Sequence, residues 1–288
     1  MKPAAFDYFR PSSLEEALQQ LAACGESAKL IAGGQSLGPM LNMRLATPSS
    51  LIDLNDLTEL AYIRDVGDTL EIGALTRHDQ IAESKLVQAR CPLLAQAAKT
   101  IGHYAIRQRG TIGGSLAHAD PAAQLPLIAT TLEARVEIVN SDGQRSLPAS
   151  AFFQSVMATA LDPDEIIRCV HFPKAAQNEG ASFQLFNRRH GDYAIVAVAA
   201  TVTLDGERVA RVRVGLSGVS AVPQACDDIV RPFTGRMADA AWAAEVALAV
   251  RDAVSPEDDQ RISAVYRKEL TQTLVERALV CALSRAKG

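Results

Sequence analysis

The stretch Lys29-Leu30-Ile31-Ala32-Gly33-Gly34-Gln35-Ser36-Leu37 constrains this chain more than any other. A short apolar run, the pattern of a buried strand, stops at two glycines followed by two polar residues. Adjacent glycines let the backbone turn through positive φ and leave no Cβ in the way of an approaching group. Successive N–H groups in such a turn can converge on one concavity, a nest that suits phosphate. The pattern recurs as Thr111-Ile112-Gly113-Gly114-Ser115-Leu116. Two such turns, each following an apolar residue and preceding a polar residue and Leu, predict a pincer on a ligand with two phosphates.

At 288 residues and 48% hydrophobic, the chain is long enough for two domains of roughly 100–200 residues each. A formal net charge of -4 argues against non-specific nucleic-acid binding, which needs a basic face. No run approaches the roughly 18 apolar residues of a membrane span, and the opening residues lack a signal-peptide core. Cys24, Cys91, Cys169, Cys226 and Cys281 lie far apart without a CxxC pair. They read as buried thiols of a cytoplasmic protein, with no iron–sulfur or zinc ligand set in this chain.

Helix and strand signals alternate along the chain. The run Pro11–Leu18 carries a Ser cap and starts a helix that ends near Gly25, followed by strand 29–32, a short helical stretch over 40–45 and strand 51–54. Hairpins are expected across Asp65–Asp68 and Ser141–Gly143, helices over 76–83 and 93–101, and a strand over 165–172. The polar stretch 174–180 marks a domain boundary. Beyond it come strand 182–187, a hairpin of 194–204 with 208–216, and helices 239–254 and 263–286. This order predicts an α+β protein of two units.

Gly34-Gln35-Ser36-Leu37-Gly38 formally matches the GxSxG elbow of serine hydrolases, which needs a strand before the serine and a long helix after it. Pro39 sits awkwardly for that helix. The same serine fits a simpler role, a hydroxyl donating to a phosphate oxygen. Neither turn carries GxGxxG or a GK[ST] ending, so a Rossmann or NTPase reading is poor. His78, His103, His118, His171 and His190 lack HExxH and HxH spacing and read as loop or surface residues. His118-Ala119-Asp120-Pro121 reads as a turn capping a helix that begins near Pro121. Arg188–Asp192 forms a charged turn, after which Tyr193 stands at a strand entrance where its ring can cover a planar ligand.

Taken together, these residues resemble the FAD-binding medium subunit of molybdenum-containing hydroxylases, the group of carbon monoxide dehydrogenase, quinoline oxidoreductase and the flavin part of xanthine dehydrogenase. The similarity runs from Phe6-Asp7-Tyr8-Phe9-Arg10-Pro11 through both glycine motifs, Leu51-Ile52-Asp53-Leu54, Arg107-Gln108-Arg109-Gly110, Ala119-Asp120-Pro121 and Gly191-Asp192-Tyr193 to Tyr266-Arg267.

The resemblance implies an FAD-binding domain of two α/β subdomains over 1–176, split near 55–60. Over 177–288 it implies a C-terminal domain with a three-stranded antiparallel sheet and a helical bundle. It places the FAD pyrophosphate on Leu30–Leu37 and Thr111–Ser115, with Lys29, Ile101, Asp120, Gln124 and Ile167 as lining residues and Tyr193 over the flavin. It also implies a large molybdopterin-binding subunit and a small subunit with two two-iron two-sulfur clusters, assembled as a dimer of heterotrimers. No catalytic side chain and no metal ligand is expected in this chain. Relatives often carry an acidic residue where Gln124 stands and Lys near Gln184 or Leu185. Two other readings stay open, a self-sufficient flavin oxidase and a serine hydrolase using Ser36.

Overall fold

The computed structural model describes residues 2–260 and 262–288. The chain opens with β1 (Asp7–Phe9), α1 (Leu14–Cys24), β2 (Ala28–Ile31), α2 (Leu37–Asn42) and β3 (Ser50–Asp53). The three strands pair in parallel in the order β1-β3-β2. Ser13 Oγ accepts from the Glu16 amide to start α1, and Gly25, at φ 65°, ends it. Ala17, Leu18 and Leu21 recur on one helix face and pack on Ile52 and Leu54. The predicted short helix is present but starts earlier, at Leu37, because Pro39 falls in its first turn, where a missing N–H costs nothing.

The middle of the chain runs through β4 (Ile63–Val66), β5 (Thr69–Gly73), α3 (His78–Glu83), α4 (Lys85–Arg90), α5 (Pro92–Lys99), α6 (Tyr104–Arg107), α7 (Ile112–His118) and α8 (Gln124–Thr131). It continues through β6 (Arg135–Asn140), β7 (Gly143–Pro148), α9 (Ala149–Phe152), β8 (Phe153–Ser155), β9 (Ala158–Thr159) and β10 (Ile166–Pro173). Five strands form an antiparallel sheet in the order β4-β5-β10-β6-β7. Leu70, Ile72, Val136, Ile138, Val170 and Phe172 alternate onto one face and bury against Leu93, Leu94, Ile112, Leu116, Leu125 and Ile128 of the helices. The other face carries Glu71, Glu137, Cys169 and His171.

The last part holds β11 (Glu179–Phe186), β12 (Val196–Asp205), β13 (Arg208–Ser217), β14 (Gln224–Ala225), α10 (Asp227–Val230), α11 (Ala240–Ala253) and α12 (Ala264–Ala286). The expected three antiparallel strands are there, and the two-residue β14 adds a fourth at the edge. Val196, Val198, Val202, Val214 and Leu216 face Trp242, Val246, Leu274 and Leu279 of α11 and α12. Ala181, Ala197 and Ala199 face the other way, into the helical core of the middle part. Arg267 of α12 ties this unit together, donating to Gly218 O (2.6 Å) and Ile195 O (2.9 Å).

Several expectations need correction. The helix predicted from Pro121 begins at Gln124, because Asp120 Oδ1 accepts from the Ala122 amide (2.8 Å) and holds 120–122 in an Asx turn. The helix α4 has no counterpart among the sequence signals. Cys24 and Cys281 are only half-buried. Among the described residues, no helix is long and apolar enough to cross a membrane.

Gly180 lies so close to α12 that a Cβ there would stand 2.5 Å from Ala286 N and overlap Ala282 O. Both neighbours are backbone and cannot swing aside. Gly180→Ala is expected to destabilise the chain by about 1–3 kcal/mol, read as a lower midpoint in urea unfolding.

Candidate cofactor-binding site

The first glycine segment leaves the carboxyl end of β2, an edge strand of the parallel sheet, where ligands of open α/β sheets bind. Its carbonyls are tied down: Asn55 Nδ2 donates to Ala32 O and Gln35 Nε2 to Gly33 O, both at 2.8 Å. Its amides are not. Among the described residues nothing accepts from the N–H groups of Gly33, Gly34, Gln35 and Ser36. Gly34 takes φ 68°, the left-handed turn that glycine permits. Ser36 precedes α2 without capping it, so its hydroxyl is not drawn into the helix start.

The second segment is built differently from the expected turn. Thr111 is the N-cap of α7, and Gly113 and Gly114 lie in the helix's first turn. The amides of this segment are already engaged. Ile112 N donates to Thr76 O (3.1 Å), Gly113 N to Ala74 O (2.8 Å) and Gly114 N to Thr111 Oγ1 (3.1 Å). A Cβ on Gly113 would sit 2.7 Å from Ala74 Cβ. This glycine therefore serves helix-to-strand packing. Gly114 is exposed and Ser115 half-exposed, so bare backbone and a hydroxyl face outward at the helix start.

The two segments touch. A Cβ on Gly33 would lie 2.7 Å from Gly110 Cα and overlap Arg109 O. Arg77 clamps the contact, donating through Nη1 to Arg109 O (2.6 Å) and through Nη2 to Asn55 Oδ1 (2.7 Å), while Asn55 holds Ala32. His78 lies just behind, with Nε2 2.9 Å from Thr111 O. A carbonyl only accepts, so Nε2 carries the proton, and Nδ1 is left buried without a partner. His78 is thus buried, not the surface residue expected. Burial lowers its pKa to about 4; the bond to Thr111 opposes the shift, and the nearby charges of Arg77 and Arg107 add to it.

Asn55, Arg77 and His78 carry the clamp, yet no sequence motif marks them. Arg77 and His78 fall inside a stretch that reads simply as helix.

Other predicted residues fall into three groups. Tyr193, with an exposed ring, brings its phenol beside the Ser36 hydroxyl and within electrostatic reach of Asp120. Partial desolvation raises the phenol pKa, Asp120 adds to the rise, and Ser36 opposes it. Gln124 is buried at the start of α8, and among the described residues its amide has no hydrogen-bond partner. Lys29 is exposed on β2, Ile101 packs half-buried against the central core, and Ile167 is inside that core. The neighbour of Ser36 is a tyrosine, and among the described residues no histidine hydrogen-bonds to it, so the hydrolase reading has no base.

The family profile described as "FAD binding domain in molybdopterin dehydrogenase" matches residues 4–175, and "CO dehydrogenase flavoprotein C-terminal domain" matches 181–282. The chain belongs to this family of FAD-binding medium subunits. It is 42% identical to the 6-hydroxypseudooxynicotine dehydrogenase complex subunit alpha of Paenarthrobacter nicotinovorans, covering 100% of this chain and 97% of that one. It is 36% identical to the carbon monoxide dehydrogenase medium chain of Hydrogenophaga pseudoflava, covering 99% of both. Carbon monoxide dehydrogenase from that organism, in a form lacking the Mo-pyranopterin moiety, superposes with TM-score 0.95 at 35% identity over 99% of each chain. Quinoline 2-oxidoreductase of Pseudomonas putida 86 gives 0.94 at 34% identity over 100% of each.

Two outcomes follow for this family member. Gly33→Ala forces the two segments apart, because the groups its methyl meets are backbone. The purified variant is expected to hold less than a tenth of the flavin of the parent, read from the ratio of 450 to 280 nm absorbance. For His78, the unfolded chain takes up a proton near pH 6.5 that the folded chain refuses until about pH 4. Folding stability should therefore fall as pH drops through that window, by up to about 3 kcal/mol. His78→Gln should remove that part of the pH dependence in urea unfolding.

Proposed function

We propose that Leu30–Leu37 is the main cradle of the FAD pyrophosphate and that Gly114 and Ser115 border it from the start of α7. The observation that carries this reading is the row of four unpartnered amides at Gly33–Ser36, held in place by backbone contact with Gly110. Partly buried N–H donors without acceptors are costly unless a ligand or water meets them, and a diphosphate supplies several anionic oxygens at once. Ser36 adds a hydroxyl donor. Gln124, buried and unpaired, fits a ribose hydroxyl, accepting through its amide oxygen where relatives place a carboxylate. Lys29, Ile101, Asp120 and Ile167 border the cofactor, and Tyr193 screens the flavin ring.

The chain is the FAD-binding medium subunit of a molybdenum hydroxylase complex, alongside a large molybdenum-binding subunit and a small iron–sulfur subunit. Bound FAD supplies the conversion between single-electron transfer from iron–sulfur clusters and two-electron transfer to an acceptor. The protein's part is to bind, orient and shield: loop amides for the diphosphate, Arg77 and Asn55 to fix the loop, Tyr193 to limit access of water. We place the unit boundaries at 1–176 and 177–288, with the first split near 55–60. We further propose a dimer of heterotrimers in the cytoplasm, with two two-iron two-sulfur clusters in the small subunit.

Ser36→Ala tests the cradle against the hydrolase reading. Loss of one hydroxyl donor to a charged group should weaken FAD retention by about 1.5–3 kcal/mol, measured by equilibrium dialysis. Esterase activity should be absent from parent and variant alike. Undiminished FAD affinity in the variant would remove Ser36 from the site. Substrate-driven flavin bleaching by the chain alone, without its partner subunits, would favour the oxidase reading instead.

A further inference from the structure

The polar face of the five-stranded sheet gathers side chains that electron transfer does not use. The bulge between Ile167 and Cys169 places Cys169 opposite Glu137 on β6 and Gly73 on β5. Bulges re-aim side chains in this way, and Gly73, without a Cβ, lets the Leu60 backbone and the Tyr62 ring close over this part of the sheet. Two residues on, His171 stands opposite Glu71. Cys169 Sγ lies 3.3 Å from His171 Nε2, and the same nitrogen lies 3.2 Å from Glu137 Oε2. Ligand atoms of Glu71, Cys169 and His171 all fall within 4.8 Å of one another.

We propose that Cys169, His171, Glu137 and Glu71 form a binding site for a divalent ion of the zinc type, separate from the flavin cradle. Bonds of about 2.0–2.3 Å in a tetrahedron set ligands roughly 3.3–3.8 Å apart, close to the 3.3 and 3.2 Å that separate His171 Nε2 from Cys169 Sγ and Glu137 Oε2, while Glu71 Oε2 stands farther out, 4.0 Å from Nδ1. A thiolate, an imidazole and carboxylates together select a borderline ion over magnesium or calcium. The outer contacts are those of a metal centre. Tyr62 OH donates to Glu71 Oε1 (2.6 Å) and Arg168 to Glu137 Oε1 (2.8 Å), leaving Oε2 of each carboxylate turned toward His171. Binding releases the Cys169 thiol proton to solvent as the sulfur–metal bond forms, with no change of oxidation state. The sequence hid the site because its one local trace, Cys169-Val170-His171, puts two ligands on one strand face by alternation, while both carboxylates come from other strands.

The test uses the full chain loaded with FAD and dialysed against zinc. One zinc per chain is expected, with X-ray absorption showing one sulfur at about 2.3 Å and nitrogen or oxygen neighbours at about 2.0–2.2 Å. His171→Gln, at a half-exposed position, should keep its FAD and lose zinc affinity at least 10-fold. Tyr62→Phe, which removes the hydroxyl that holds Glu71 and reaches the Cys169 thiol, should lose roughly 10-fold. A saturating excess of zinc should raise the melting temperature of the parent but not of His171→Gln. Substoichiometric zinc, a sulfur-free shell, or equal affinity in parent and His171→Gln would each overturn the proposal.

Discussion

Two backbone segments meet at Gly33 and Gly110 with no side chain between them, and the arrangement around the cradle follows from that contact. Any Cβ at Gly33 would occupy the space of Gly110 and Arg109. The approach is a steric requirement before it is a binding feature. Once the segments touch, Arg77 can reach both at once, and Asn55 completes the bracing through Ala32. The carbonyls of the loop are consumed by this bracing. Its amides are left over, and a diphosphate is the complement of such a row. The part built on the parallel three-stranded sheet and the part built on the antiparallel five-stranded sheet are thereby joined at this loop.

Much of this was legible beforehand because it is local. The run Lys29–Ser36 declares a strand and a tight turn from residue types alone, and the hairpins across Asp65–Asp68 and Ser141–Gly143 follow from turn chemistry. The helix from Leu14 to Cys24 announces itself through Ser13 and its apolar spacing. What failed was non-local. The second double glycine looks like the first, yet Gly113 is small because Ala74 lies under it, a neighbour from a distant strand. His78 reads as a surface residue until the fold closes over it. Arg77 and Asn55 belong to no motif because their partners are backbone carbonyls, which any sequence supplies. The start of α8 was misplaced because Asp120 spends its carboxylate on an Asx turn before the helix begins.

Membership of the family fixes what the subunit does, while the residues here set how it does so. Gln124 stands buried at the start of α8, and an amide accepts at one oxygen while also offering donors. Gln184 and Leu185 put no cation on β11. The cations that precede Tyr193 in sequence are instead Arg188 and Arg189, in an exposed loop. The proposed cradle therefore leans on backbone amides and hydroxyls more than on charged side chains. Such donors are fixed by the fold and insensitive to titration, which suits a carrier whose cofactor changes charge as it works.

The alanines on the inner face of β11 and β12 have a wider consequence. Ala181, Ala197 and Ala199 interlock with the same helices that pack beneath the central sheet, whereas the valines behind them pack on α11 and α12. Strand β12 is thus shared between two hydrophobic interiors. Cutting the chain after residue 176 would not release a ready-made module but strip one wall from its interior. The last third is in this sense the back wall of the middle part's core.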